Sequence, residues 1–294
     1  MRSSLIALLA FGLVSGLATG ASAADVTPEP EPVLLDDVYA EIFGNYTELG
    51  KDFGTEDDKF WAGGAGIYWS IPLGDMVSLQ LDGKSEITEN EGGDDENDYE
   101  YSIVGAGHLS YRDPQSYLLG IFGGVANSAA GDNGDTTGYF IGGEGQLYID
   151  RATFYVQGGY FDGEKNDLDD SILTDTYFVR GQLRYYLTDN FRGTLEGAYA
   201  VGRVDEEDDT DIYDWGVELE YRFDESPISL FASYEGTDMD QTPGESDKLS
   251  EDVYTVGLRL DFGASTVFDR DRLGAGLDTP RFGRWQGEAG GPLE

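Results

Sequence analysis

The sequence predicts an all-β fold: a transmembrane, antiparallel, up-and-down β-barrel of about twelve strands, with an apolar exterior and a polar lumen. Three observations carry this. Apolar and polar residues alternate over stretches of about ten to fourteen residues from Val38 to Phe262, and a period of two gives each strand one apolar and one polar face. The connections alternate in length, five short and six long, and the long ones are acidic. No helical pattern offers a second layer to cover the apolar faces. A closed barrel in lipid satisfies both those faces and the backbone hydrogen bonds.

The elements follow in order. Arg2, the apolar run Leu5 to Val14 and the small-residue triplet Ala21-Ser22-Ala23 predict a secretory signal over residues 1–23. The run is too short to span a bilayer as a helix. Residues 24–36, with Pro28, Pro30 and Pro32, read as an extended lead-in. The barrel then occupies 37–263. Its expected strands are 37–49, 59–71, 75–87, 99–112, 116–127, 137–149, 152–162, 174–187, 190–202, 211–223, 227–237 and 251–263. Pro, Asp, Asn and Gly fill the short connections between them, as tight turns require. An even strand count puts both ends of the barrel on the short-turn side.

Facing is clearest in three strands. Tyr177, Val179, Gly181, Leu183, Tyr185 and Leu187 alternate with Thr176, Arg180, Gln182 and Arg184. Tyr213, Trp215, Val217, Leu219, Tyr221 and Phe223 alternate with Asp214, Glu218, Glu220 and Arg222. Tyr254, Val256, Leu258, Leu260 and Phe262 alternate with Thr255, Gly257, Arg259 and Asp261. A charge on the lipid side costs about 2–4 kcal/mol at the bilayer midplane, so the charged faces point inward. Aromatic pairs Trp61/Trp69, Tyr101/Tyr111, Trp215/Phe223 and Tyr254/Phe262 lie roughly 20–25 Å apart along a tilted strand, the height of the apolar band. One ring of each pair then sits in each interfacial girdle.

Composition narrows the partners. The 294 residues carry 58 acids against 18 bases, a net charge of −40. That excludes a nucleic-acid partner on electrostatic grounds. There is no cysteine, hence no disulfide framework and no lipid-modified cysteine anchor.

At this point the chain resembles the porin-like β-barrel proteins of the Gram-negative outer membrane. The resemblance covers about residues 24–263 and is carried most visibly by the last strand, Val253 to Phe262. There Gly257, the alternating hydrophobics through Leu260 and the aromatic Phe262 look like the signal read by the barrel-assembly machinery. The resemblance implies an outer-membrane location, contact with lipid and lipopolysaccharide, periplasmic short turns and extracellular long loops. One departure stands out: some thirty residues follow Phe262, whereas in this class the aromatic usually ends the chain. Residues 264–294 have no strand pattern and hold Arg270, Arg272, Arg281 and Arg284 with Phe282 and Trp285. They read either as a disordered periplasmic tail, or as a segment that folds back into the acidic lumen as a partial plug or contacts the cell wall or a periplasmic partner.

The expected lumen set is Lys84, Glu144, Arg180, Arg184, Arg192, Glu196, Glu218, Glu220, Arg222 and Arg259. Facing acids and bases either close an ion-pair network that fills the barrel or line a water-filled constriction. About twelve strands is intermediate between filled small barrels and wide porins. Arg180, Arg184 and Arg192 form a basic ladder, the expected constriction wall. Loop acids Asp94, Asp95, Asp98, Asp205, Glu206, Glu207, Asp208 and Asp209 are expected to draw cations toward the mouth. They are also expected to hold Ca²⁺ or Mg²⁺ loosely, since no run matches a defined calcium loop. No cofactor and no resident metal site is expected. The single histidine, His108, lies two residues from Ser110 on the lumen face and is a crude fit to a hydrolase pair. The expectation is no enzyme. It is a narrow, cation-preferring channel for ions or small hydrophilic solutes, with a non-conducting structural or surface-interaction barrel as the alternative.

Overall fold

In the computed structural model every strand is hydrogen-bonded to its sequence neighbours, and the first pairs with the last. The twelve antiparallel strands thus close a barrel. The structure describes residues 33–50, 59–89, 99–129, 135–165, 173–204, 208–241 and 248–281. In order they are β1 (Asp37–Leu49), β2 (Lys59–Pro72), β3 (Val77–Glu89), β4 (Tyr99–Asp113), β5 (Tyr117–Ala129) and β6 (Asp135–Ile149). They continue as β7 (Ala152–Lys165), β8 (Leu173–Thr188), β9 (Phe191–Val204), β10 (Asp208–Arg222), β11 (Ile228–Gln241) and β12 (Lys248–Asp261). Each expected strand is present. Several run further into the long connections than the apolar alternation marks: β10 starts at Asp208 and β11 reaches Gln241. A ladder needs backbone pairing and not an apolar face, so it continues past the lipid band with polar side chains.

The alternation sorts the faces as expected. In β8, Tyr177, Val179 and Tyr185 are exposed, while Phe178, Arg180, Gln182, Arg184 and Tyr186 are buried. Around the outside, Ile42, Ile67, Ile103, Ile121, Ile141, Leu195 and Val256 are each more than half exposed. Such a continuous apolar belt belongs in lipid. Among the described residues no helix is long and apolar enough to cross a membrane, so the crossing is made by strands. Aromatic rings gather at both rims. Tyr46 lies 5.0 Å from Trp61 and Tyr234 lies 5.3 Å from Tyr254 near the loop end. Tyr221 lies 5.5 Å from Phe223 near the short turns. The two-residue turn at Asp150–Arg151 uses a positive φ of 49° at Asp150, which aspartate tolerates better than most residues.

The lumen is not uniformly polar, which corrects the sequence expectation. Phe122, Phe140, Phe161 and Phe178 point inward and form a buried cluster with Leu173, Val204, Ile212 and Met239 on the loop-end side. These rings share the inward phase of the charged residues. They fit because glycines on adjacent strands leave room: a Cβ on Gly124 would sit 2.5 Å from the Phe140 ring.

After β12 the chain turns back. Helix α1 (Val267–Leu273) is capped by Thr266, whose hydroxyl accepts from the Asp269 amide at 2.9 Å. It lies at the short-turn end of the barrel. The Phe268 amide donates to the Asp189 carbonyl at 3.0 Å, and the Phe268 ring packs edge-on to Tyr186 at 5.0 Å. The lead-in holds the other side: Leu35 N–H donates to the Leu273 carbonyl at 2.9 Å. Residues 274–281 then enter the lumen.

Candidate functional site: the charged lumen and the segment within it

One wall of the lumen is an ion network on four strands. β12 supplies Arg259, which reaches Glu41 on β1 at 3.0 Å, Glu220 at 2.7 Å and Glu218 at 2.8 Å on β10. To reach β10 it crosses β11, lying over the Phe231 ring with 4.0 Å to the centroid. Phe231 in turn packs against Gly257, where a Cβ would meet its ring and the Ile42 carbonyl at 2.5 Å. Arg192 on β9 completes the network, 2.7 Å from Glu218 and 2.9 Å from Glu220.

The C-terminal segment adds an opposite charge at each step it climbs. Arg270 pairs with Glu220 at 2.5 Å and Asp261 at 3.0 Å, and lies over the Tyr39 ring. Asp271 is fully buried, accepting from Arg184 and, at 2.7 Å, from the Thr153 hydroxyl. The Gly276 carbonyl accepts from Arg184 at 2.6 Å, and Gln80 holds Leu277 through both its amide N–H and its carbonyl. The Asp278 carboxylate accepts from Gln182 at 2.9 Å and Arg184 at 2.8 Å, with Arg180 3.6 Å away. Arg281 lies 3.0 Å from Glu196 and 2.9 Å from Glu235. Burial works against ionisation of Asp278, but Arg184, Arg180 and Arg192 outweigh it and hold the carboxyl well below the usual carboxylate range. Asp271 is lowered in the same way: burial opposes its charge, and Arg184 leads the groups that overcome it.

His108 is a strut. Its Nδ1 lies 2.9 Å from Glu144 and its Nε2 3.2 Å from Asp82, all three buried. Glu144 reaches across β5 at Gly120, where a Cβ would sit 3.1 Å from its carboxylate. Asp82 also accepts from the Thr279 hydroxyl at 2.8 Å, and Glu144 from Tyr155 at 2.5 Å. Ser110 makes a 2.9 Å hydrogen bond with Ser78 instead. With both ring nitrogens facing carboxylates, His108 does not serve Ser110 as a base, and the hydrolase pairing is not formed. Sequence reading saw the histidine but not its partners, because Asp82 and Glu144 come from different hairpins.

Above residues 278–281 lies a cavity of about 170 Å³. Of the expected lumen set, Lys84, Arg180, Arg184, Arg192, Glu196, Glu218 and Arg259 line it. Lys84 is exposed there, its ammonium 4.8 Å from the Phe43 ring centroid. Glu144, Glu220 and Arg222 also point inward but do not line this cavity. Glu220 holds Arg270, Glu144 holds the His108 strut, and Arg222 donates to the Ala264 carbonyl at 2.8 Å. Arg180, Arg184 and Arg192 all face the lumen, and their charges are matched by wall and tail carboxylates. Phe262 is exposed on the outer face, Leu260 is half-buried and Gly257 faces the lumen. Of the loop acids, Asp94, Asp95, Asp98, Asp205, Glu206 and Glu207 lie outside the described residues, as do Arg284, Phe282 and Trp285. Asp208 opens β10 by pairing with Val204, and Asp209 is exposed beside it. Among the described residues no group of three or more His, Asp or Glu side chains is placed to hold a metal ion.

No family model matches the sequence, and no curated protein matches it. Solved structures do match. The COG4313 outer-membrane channel from Pseudomonas putida F1 is 12% identical, with a TM-score of 0.56 over 81% of this chain and 100% of that one. A KdgM porin in complex with disordered oligogalacturonate is 10% identical, with a TM-score of 0.43 over 76% and 99%. The translocator domain of the autotransporter NalP from Neisseria meningitidis is 13% identical, with a TM-score of 0.45 over 77% and 88%. At these identities the likeness is one of fold, and the first of the three carries it. The chain has the fold of the Gram-negative outer-membrane barrels, with the lipid-facing belt that fold requires.

Proposed function

We propose that this protein is a narrow outer-membrane channel that lets ions or small hydrophilic solutes diffuse passively, with a preference for cations. The observation that supports a channel most is the unfilled cavity beside the charged wall. Acidic loops and a net charge of −40 would concentrate cations at the mouth and repel anions. Solutes would then pass a wall where both signs of charge are fixed and paired. The same acids would attract divalent cations and bridge to lipopolysaccharide phosphates. The last strand, with Gly257, Leu260 and Phe262, would be read by the barrel-assembly machinery as an internal signal.

A second reading has its own observation. Residues 264–281 occupy the short-turn half of the lumen through buried ion pairs, which favours a non-conducting structural barrel. Single-channel current from refolded protein in a planar bilayer under a salt gradient separates the two. The channel reading expects discrete steps and a cation-biased reversal potential, with larger steps from a chain ending at Phe262. Equal steps from the two chains would sink the plug. Verified insertion without current from either would favour the structural barrel.

A further inference from the structure

The tip of the lodged segment, residues 274–281, is zwitterionic, and its two charges, Asp278 and Arg281, meet two differently built places in the wall. At one pole, Arg180, Gln182 and Arg184 stand at alternate positions of β8 and converge on the Asp278 carboxylate. The neighbouring backbone is held as well, since Gln157 donates to the Asp278 carbonyl at 2.7 Å. At the other pole, Glu196 and Glu235 take the Arg281 guanidinium between them. Gly216 makes room for it: a Cβ there would sit 3.3 Å from the guanidinium. The poles are joined, because Arg180 lies 2.6 Å from Glu196.

The anchor and the tip of the segment differ in burial. The side chains of Arg270 and Asp271 are 3% and 0% exposed, whereas those of Arg281 and Asp278 are 18% and 35% exposed. Asp278, Thr279, Pro280 and Arg281 border the cavity of about 170 Å³; Arg270 reaches it too, but with only 3% of its side chain exposed. The cavity has room for several waters, enough for part of a small solute to approach both poles. A group arriving from the loop side therefore competes with Asp278 and Arg281, not with the buried anchor.

We propose that the cavity is a two-pole receptor for a small solute carrying both a carboxylate and a cationic group, and that Asp278–Arg281 is its resident occupant. A basic amino acid has this chemistry. Its carboxylate would replace that of Asp278 on the Arg180–Gln182–Arg184 comb, and its cation would replace Arg281 between Glu196 and Glu235. A solute with net positive charge also passes the acidic mouth that would repel a simple anion. The inference names a solute class for the proposed channel and rests on that reading for its biological meaning. The binding itself does not depend on conduction.

The test is calorimetric titration of L-arginine into the refolded full chain in detergent micelles, comparing the native chain with Asp278→Asn/Arg281→Gln. The double variant is expected to bind L-arginine at least about tenfold more tightly, because the occupant has lost both charges. Agmatine, which lacks the carboxylate, and glutarate, which lacks the cation, are expected to bind at least about tenfold more weakly than L-arginine. Equal L-arginine affinity in the two chains, or none in either, overturns the proposal. Agmatine binding as well as L-arginine overturns it too, since that is a generic cation site in an acidic barrel. If the double variant fails to refold, Asp278→Asn and Arg281→Gln alone are each expected to tighten binding at least threefold, and no change in either overturns it. Binding without bilayer current would sink the channel and leave the receptor. Current without binding would do the reverse.

Discussion

Arg184→Gln is the most searching perturbation of the lodged segment. Arg184 is 1% exposed and contacts Asp271, the Gly276 carbonyl and Asp278. Removing one partner of a buried ion pair costs about 3–5 kcal/mol, because the other charge is left uncompensated. Here the stranded charge is Asp271, which keeps the Thr153 hydroxyl and has Arg272 at 3.9 Å. Those partners soften the loss, so about 3 kcal/mol is expected. The Asp278 contact is partly solvated and adds little. At 1.4 kcal/mol per tenfold, the segment should open roughly a hundredfold more often. Hydrogen exchange read by peptide mass spectrometry measures this directly. Protection over 264–281 should fall by about two orders of magnitude, while strand peptides stay unchanged. Adding Asp271→Asn removes the stranded charge and should restore most of the protection. Unchanged protection in the single variant, or equal loss in the strands, would refute the reasoning.

Three further outcomes follow from the same geometry. His108→Ala leaves Asp82 and Glu144 buried without their shared partner and should lower barrel stability by about 3 kcal/mol in a denaturant titration; a change under about 0.5 kcal/mol would show the strut is idle. Gly257→Ala forces a methyl against Phe231 and the Ile42 carbonyl and should cost about 1–3 kcal/mol in micelles. If only insertion in cells fails and stability is untouched, the glycine serves assembly rather than packing. Asp271 and Asp278 both have carboxyls depressed in the folded state, so their contribution to lodging is complete above the unfolded carboxyl value of about 3.9. It is lost as pH falls from there through the lower native values. Rate-corrected protection of 264–281 should therefore be flat between pH 7 and 5 and drop below about pH 4. A drop already between pH 7 and 6 would point to a different titrating group.

The sequence by itself determined the barrel. A period of two fixes which side chains share a face, a lipid exterior fixes which face goes out, and turn residues mark where the ladder reverses. Those are local facts, so Tyr177 and Arg180 could be assigned to opposite faces without knowing any neighbour. Membership of the lumen was equally legible for Arg184, Glu220 and Arg259, because phase along one strand is enough. Helix α1 left a fainter trace in Thr266 and Asp269, a cap signal three residues apart that is easily missed beside so many turns. What only the tertiary structure decided is who meets whom across the lumen. Phase gives a direction but no partner, and the pairs that matter span long separations: Arg184 with Asp271, Glu196 with Arg281, His108 with Glu144. The inward phenylalanines were hidden for the same reason, since a ring fits the wall only where a glycine on the next strand stands beside it. Whether residues beyond Phe262 stay outside or climb inside depends on the sum of buried charge pairs they find, and that sum exists only once twelve strands have closed around them.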